Sequence, residues 1–204
     1  MKKLVLLIIV LILAFFVGYK LFFNKENAVV ANKDQSLAIS KNSDAVNARF
    51  FNLMEDYYAL KDALVEWDTA RADQAAQKIV EYSDSLPWKD MKADSNIIAT
   101  AENFAASING DAKGLIREST IEQKRRSFNM ITDEIYNLIR TVRYDGSVVY
   151  HARCPMAFND SEEAYWLSNS SNIVNPYLGK KHPKYSNKMI GCGEIVDSVD
   201  FVKK

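Results

Sequence analysis

Two cysteines, two histidines and seven glycines are few for a chain of 204 residues, and each shortage removes a class of function. Glycines this sparse form no phosphate-binding loop and no dinucleotide fingerprint. The two histidines build neither a haem-attachment nor a metalloprotease motif. Charge of one sign is lacking as well, with 26 basic residues against 26 acidic ones. An N-terminal segment contributes Lys2, Lys3 and Lys20; without it 23 basic residues face 26 acidic ones, a balance of −3. That balance leaves no electrostatic footprint for nucleic acid. Cys154 and Cys192 together allow one disulfide or one two-thiolate site.

The long apolar run that is present lies at the N-terminus. Met1-Lys2-Lys3 is basic, Leu4 to Val17 is unbroken apolar sequence, and the stretch from Leu4 to Phe23 counts 20 residues. At about 1.5 Å per residue it spans about 30 Å, the hydrocarbon thickness of a bilayer. Lys20 is close enough to the end to snorkel to the headgroups. Lysines ahead of the run set the N-terminus inside and the remainder outside. The run is longer than a signal-peptide core and no small-x-small site follows Val17 directly, so an uncleaved signal anchor is expected. Val29-Val30-Ala31 is the site if the segment is cut. No cysteine lies near the run, which excludes lipoprotein processing. The expected location is the inner membrane with the N-terminus cytoplasmic and the body periplasmic, or free in the periplasm after cleavage. Thiols there are oxidised or metal-bound.

Residues 24–43 are polar and read as a linker. Helical periodicity begins near residue 44: Phe50, Leu53, Tyr57, Leu60, Leu64 and Trp67 recur in steps of three and four. Asp68 is placed to cap a second helix bearing Ala72, Ala75, Ala76, Ile79 and Val80, which Leu86-Pro87 ends. A third helix is expected from Ser95 to Ile108, with Ile97, Ala101, Phe104 and Ile108 inward and Gly110 as its stop. Ser119 and Glu122 make a capping-box pattern for a fourth, carrying Ile121, Phe128, Ile131, Ile135, Leu138 and Val142 up to Asp145-Gly146. Beyond this the texture turns β-like at Ser147 to Tyr150 and again at Ile195-Val196. The fold class is therefore mainly α, an antiparallel four-helix bundle followed by a loop-rich C-terminal cap with a short β pairing. The expected organisation is an anchor at 1–23, a linker at 24–43 and a single domain at 44–204 whose cap is 146–204.

The cap holds the chemistry. Cys154-Pro155-Met156 and Met189-Ile190-Gly191-Cys192 each pair a cysteine with a methionine, and His151 stands three residues before the first. Thiolate with thioether is the soft donor set that selects Cu(I). Two cysteines in an exported chain also commonly form a plain disulfide, and a lone methionine is more often core filler. A zinc site of His151, Cys154, His182 and Cys192 has no recognised finger spacing, and Lys180-Lys181-His182-Pro183-Lys184 reads as a solvated cationic loop. A thiol enzyme with Cys154 as nucleophile and His151 as base lacks an orienting third group. Glu162-Glu163 and Glu194 read as surface carboxylates and Arg125-Arg126 as a solvated or helix-pairing charge. Trp166 and Tyr177 read as packing anchors.

Four stretches in order resemble a known family: Tyr150 to Phe158, Ala164-Tyr165-Trp166-Leu167-Ser168, Asn175-Pro176-Tyr177-Leu178-Gly179, and Met189 to Glu194. The helical half matches it more loosely, at Ala59 to Leu64 and Arg126-Ser127-Phe128. It is an uncharacterised domain family, found as free-standing exported proteins and as a C-terminal extension of periplasmic adaptor subunits of copper and silver efflux pumps. The resemblance covers about residues 46–198, with Lys180 to Asn187 longer than the compact form. It implies a periplasmic domain associated with copper handling and draws attention to Cys154, Met156, Met189 and Cys192.

Two functions follow as expectations. In the first, the domain binds Cu(I) through Cys154, Cys192, Met156 and Met189, with His151 as an optional donor. It passes the ion to an efflux-pump adaptor or another metal-handling protein by ligand exchange, without catalysis. In the second, Cys154–Cys192 is a structural disulfide and the domain is an interaction scaffold.

Overall fold

The computed structural model describes residues 42–202. The expected anchor at 1–23, and all of the 24–43 linker except Asn42 and Ser43, lie outside the described residues. Among the described residues no helix is long and apolar enough to cross a membrane.

Among the described residues four helices come first: α1 (Asp44–Glu66), α2 (Thr69–Asp84), α3 (Ser95–Arg117) and α4 (Ile121–Thr141), with a 3-10 turn at Trp88–Asp90 between α2 and α3. Three strands follow: β1 (Val149–Phe158), β2 (Glu162–Ser168) and β3 (Glu194–Val199). Short side chains start each helix, because their oxygens satisfy amides that have no intrahelical acceptor. Ser43 accepts from Val46 N at 3.3 Å, Asp68 from Arg71 N at 3.0 Å and Asp94 from Asn96 N at 2.8 Å. The capping box of α4 is formed by Thr120 and Gln123, one residue beyond the expected pair. Gln123 N donates to Thr120 Oγ1 at 3.3 Å and Thr120 N to Gln123 Oε1 at 3.2 Å.

Each helix packs on the next, and α1 also touches α4. Phe50, Leu53, Tyr57, Leu60 and Leu64 of α1 are buried as the periodicity predicts, with Ile131, Ile135 and Leu138 of α4. Gly110 does not stop α3. The helix runs through Gly110 and Gly114 to Arg117, because Ile108, Ala112 and Leu115 continue the buried face past them. Ile97, expected inward, is 41% exposed, and its neighbour Ile98 packs against the core.

The expected short β pairing is a three-stranded antiparallel sheet in the order β2-β1-β3. That order leaves β2 at an edge, where unpaired backbone groups invite aggregation. The helices cover it instead. Tyr165 N donates to Asn129 Oδ1 at 2.8 Å, and Leu167 N donates to the Tyr57 hydroxyl at 2.9 Å. Thr132 Oγ1 donates to Phe128 O at 2.9 Å, so the Tyr57 hydroxyl must donate to Thr132 in their 2.7 Å contact. A relay of hydrogen bonds thus runs from the edge of the sheet into the backbone of α4.

Candidate thiol site

β1 holds one register against β2 from Tyr150↔Ser168 to Cys154↔Ala164. Strand alternation over this stretch puts Ala152 and Cys154 on one face and His151 and Arg153 on the other. The first face also carries Trp166, the partner of Ala152, and is buried: Ala152, Cys154 and Ala164 have no exposed surface. Register is lost between Cys154 and Phe158, where Pro155 has no N–H to give the ladder. Met156 sits in this irregular stretch, partly buried against the core, so simple alternation from Cys154 does not extend to it.

Cys192 reaches Cys154 from the long segment between β2 and β3. Met189 to Cys192 is a tight turn in which Cys192 N donates to Met189 O at 3.0 Å. At the residue after the turn, Gly193 has φ +138°. A Cβ there would lie 2.6 Å from Arg153 O and 2.7 Å from Trp166 Cη2. Only glycine lets the chain pass that close to β1, and this passage lays Cys192 over the strand. With Glu194 paired to Arg153 two residues further on, the Cys192 and Cys154 side chains are neighbours. Burial pushes the Cys192 thiol above its ordinary pKa, and the neighbouring Cys154 sulfur adds to that shift. Both cysteines are free thiols; Cys154 is fully buried and Cys192 half-buried.

The segment that carries Cys192 is itself fastened to the helical half. Arg125 donates from Nε to Pro176 O at 2.8 Å and from Nη2 to Leu64 O at 3.0 Å, and its guanidinium lies 4.1 Å over the Trp67 ring. Trp67 Nε1 donates to Leu178 O at 3.2 Å, and Lys180 N to Val65 O at 2.8 Å. Arg125 is thus buried, not a solvated charge, and burial lowers its pKa to about 9. Arg126 is the surface member of the pair, reaching Glu162 at 3.1 Å. Glu163 and Glu194 are surface carboxylates that pair with Arg153. Trp166 and Tyr177 are buried packing residues with ring centroids 6.3 Å apart.

The structure brings together two of the five residues singled out as donors, Cys154 and Cys192. Met189 shares the Cys192 turn and Met156 follows Cys154 by two residues, both partly buried. His151 is held on the other face of β1. Its ring stacks at 4.2 Å on Tyr136 and lies 5.0 Å from Tyr165. The hydroxyl of Tyr136 donates to Asp197 and accepts from Arg140 at 3.1 Å. His182 is apart from both cysteines, 5.0 Å from the Tyr185 ring and 6.0 Å from that of Trp67, with Nδ1 accepting from Lys184 N at 3.2 Å. Among the described residues no three His, Cys, Asp or Glu side chains group to hold a metal ion, so the mixed His/Cys zinc set is not assembled. Neither is the Cys154–His151 pair that a thiol enzyme needs.

Asn175 stands in the sequence only as the start of the Asn175 to Gly179 stretch, with no role assigned to it. It is fully buried and binds the Cys192 turn on one side and the 177–179 backbone on the other. Asn before proline is a turn-initiating pair, the one local signal for it.

A helical unit closed by a small antiparallel sheet, with a thiol pair under the crossing segment, is thus the class this chain presents. Residues 53–145 match a family described as Protein of unknown function (DUF3347), which ties that stretch to an uncharacterised domain family. The match spans the helices from Leu53 of α1 to Asp145 and ends before β1, so the thiol pair lies outside it. No curated protein and no solved structure matches the chain.

Proposed function

We propose that this domain is an exported, membrane-tethered carrier of a soft monovalent metal ion, Cu(I), held by Cys154 and Cys192 and passed to a partner by ligand exchange. The observation that carries the reading is the passage of Gly193 against Arg153 O and Trp166, with Glu194 paired to Arg153, which sets Cys192 beside Cys154. Two neighbouring sulfurs, one buried and one half-buried, suit an ion that accepts few soft ligands, and they do not suit zinc, which requires four. Met189, in the same turn as Cys192, and Met156, close to Cys154, are the thioethers available to such an ion; the place of His151 on the other face of β1 speaks against it as the optional donor. The ion is cargo here. Cys192, the more accessible thiol, meets it first, and Cys154 completes the pair. The tethering anchor, the periplasmic location, the antiparallel arrangement of the helices and a pump adaptor as recipient belong to the same proposal.

Replacing Cys192 with serine leaves one buried thiol and removes stoichiometric Cu(I) binding, measured by competition with a chromophoric Cu(I) chelator. Unchanged affinity in Cys192→Ser defeats the proposal.

A second reading is favoured by the complete burial of Cys154. In an oxidising compartment two neighbouring thiols close to a disulfide, and the domain is then an interaction scaffold. Protein recovered from its native compartment with both thiols titratable counts against this reading.

A further inference from the structure

We propose that Asn175 is the positioning residue of the thiol pair, holding the Cys192 turn against β1 through a hydrogen bond from its side-chain amide. The inference rests on the thiol-pair reading above and adds the element that sets the apposition.

Three observations carry it. Asn175 is fully buried, yet each of its polar groups has a partner, its two donors on the Cys192 turn and its two acceptors on its own 177–179 turn. Its Nδ2 donates to Cys192 O at 2.7 Å, and its backbone N donates to Ile190 O at 2.8 Å, so both ends of the Gly191 crossing are bound to one residue. Its Oδ1 accepts from Tyr177 N at 2.8 Å and Leu178 N at 3.0 Å, and its backbone O accepts from Gly179 N at 3.0 Å. The 176–180 stretch is in turn fixed to α1 and α4 by Arg125, Trp67 and the Lys180 amide. Asn175 is therefore the joint through which the helical half sets the place of Cys192. The cysteine's own turn supplies one further bond, from Cys192 N to Met189 O.

The consequence is chemical. Two thiols held as neighbours have a high effective concentration, and loosening one of them lowers it. When the pair is oxidised by glutathione disulfide, Cys154 and Cys192 each lose a proton, together give up two electrons and form one S–S bond. Glutathione disulfide takes up the two electrons and two protons as two glutathiones. The equilibrium constant of this exchange reports the apposition directly, without metal.

The informative variant is Asn175→Asp. It keeps an oxygen to accept from Tyr177 and Leu178, and it sets a second oxygen against Cys192 O where a donor had been. The expected result, on the full chain, is a fall of about ten-fold or more in the glutathione exchange constant, equal to about 30 mV. The control is Asn109→Ala, which removes a buried amide bonded to Val80 O at 3.0 Å and Ser83 Oγ at 3.1 Å, away from the thiols. It lowers stability and leaves the constant unchanged. An Asn175→Asp constant within about two-fold of wild type, or an equal fall in Asn109→Ala, overturns the proposal. If Asn175→Asp does not fold, the wild type decides through exchange of the Asn175 side-chain amide protons followed by NMR. Slow exchange in both redox states is expected, and fast exchange in either overturns it. Because the constant is read without metal, a wild type that takes up no Cu(I) removes the copper reading while the glutathione result still decides this one.

Discussion

His151 and Cys154 are three residues apart, and strand alternation gives them opposite environments. The histidine ring lies between two tyrosines, its Nε2 has no hydrogen-bond partner among the described residues, and burial holds its pKa below the ordinary value of 6.5. Asp197 pulls that value up and Arg140 pushes it down, without reversing the effect of burial. A group that titrates lower in the folded state favours the unfolded chain once protons are available. Its contribution to stability is therefore full above about pH 6.5 and is lost as the pH falls through that value towards the lowered folded one. His151→Phe keeps the ring stack and removes the proton acceptor. Its urea midpoint should fall less than that of wild type between about pH 7 and pH 5; equal falls contradict the assignment. His182, also lowered by burial, supplies part of the remaining dependence. At this scale the sequence was legible for types and poor for faces. His151 and Cys154 were visible as chemistry, but the choice of side depends on a register that needs β2 in place. Arg125 beside Arg126 reads as surface charge, and only the carbonyls of Leu64 and Pro176, distant in the chain, explain its burial.

At the scale of elements, the helices were the most legible because their signals are local. The Asp68 cap and the buried stripe of α1 follow from spacing alone, while the α4 capping box shifted by one residue and α3 ran past its glycines. β2 was not read as a strand. Its burial runs from two exposed residues to Trp166, Leu167 and Ser168, all buried, without the alternation that marks a strand with one wet face. The reason is the edge: helix side chains close its backbone and bury both faces at its end. Tyr57 makes this testable. Tyr57→Phe leaves the buried Leu167 N–H without an acceptor and lowers stability by about 1–3 kcal/mol, read by urea denaturation. Hydrogen exchange at Leu167 should quicken along with it. A change under about 0.5 kcal/mol contradicts the relay.

For the whole molecule, the helical half and the sheet are joined mainly through β2, and a single segment returns across the sheet to bring Cys192 to Cys154. Closing the pair as a disulfide links positions with 37 residues between them, a constraint worth about 3–4 kcal/mol in the chain-entropy account. Oxidised protein should therefore be more stable to urea than reduced protein by about that amount, and Cys192→Ser should show no redox difference. Equal stability of the two redox forms contradicts the apposition. The pairing of the two sulfur motifs across this distance was proposed from residue type and family resemblance. Nothing local in the sequence encodes it, because it depends on Gly193 passing beside Trp166 and on Asn175 fastening the turn.

The measurement that tests the central claim most directly is a Cu(I) titration of the reduced full chain, with X-ray absorption at the copper edge on the loaded protein. The account predicts one tightly bound ion per chain with sulfur neighbours only, lost when Cys154 and Cys192 are both replaced by serine. Copper bound through nitrogen or oxygen, or retained by the double variant, contradicts it.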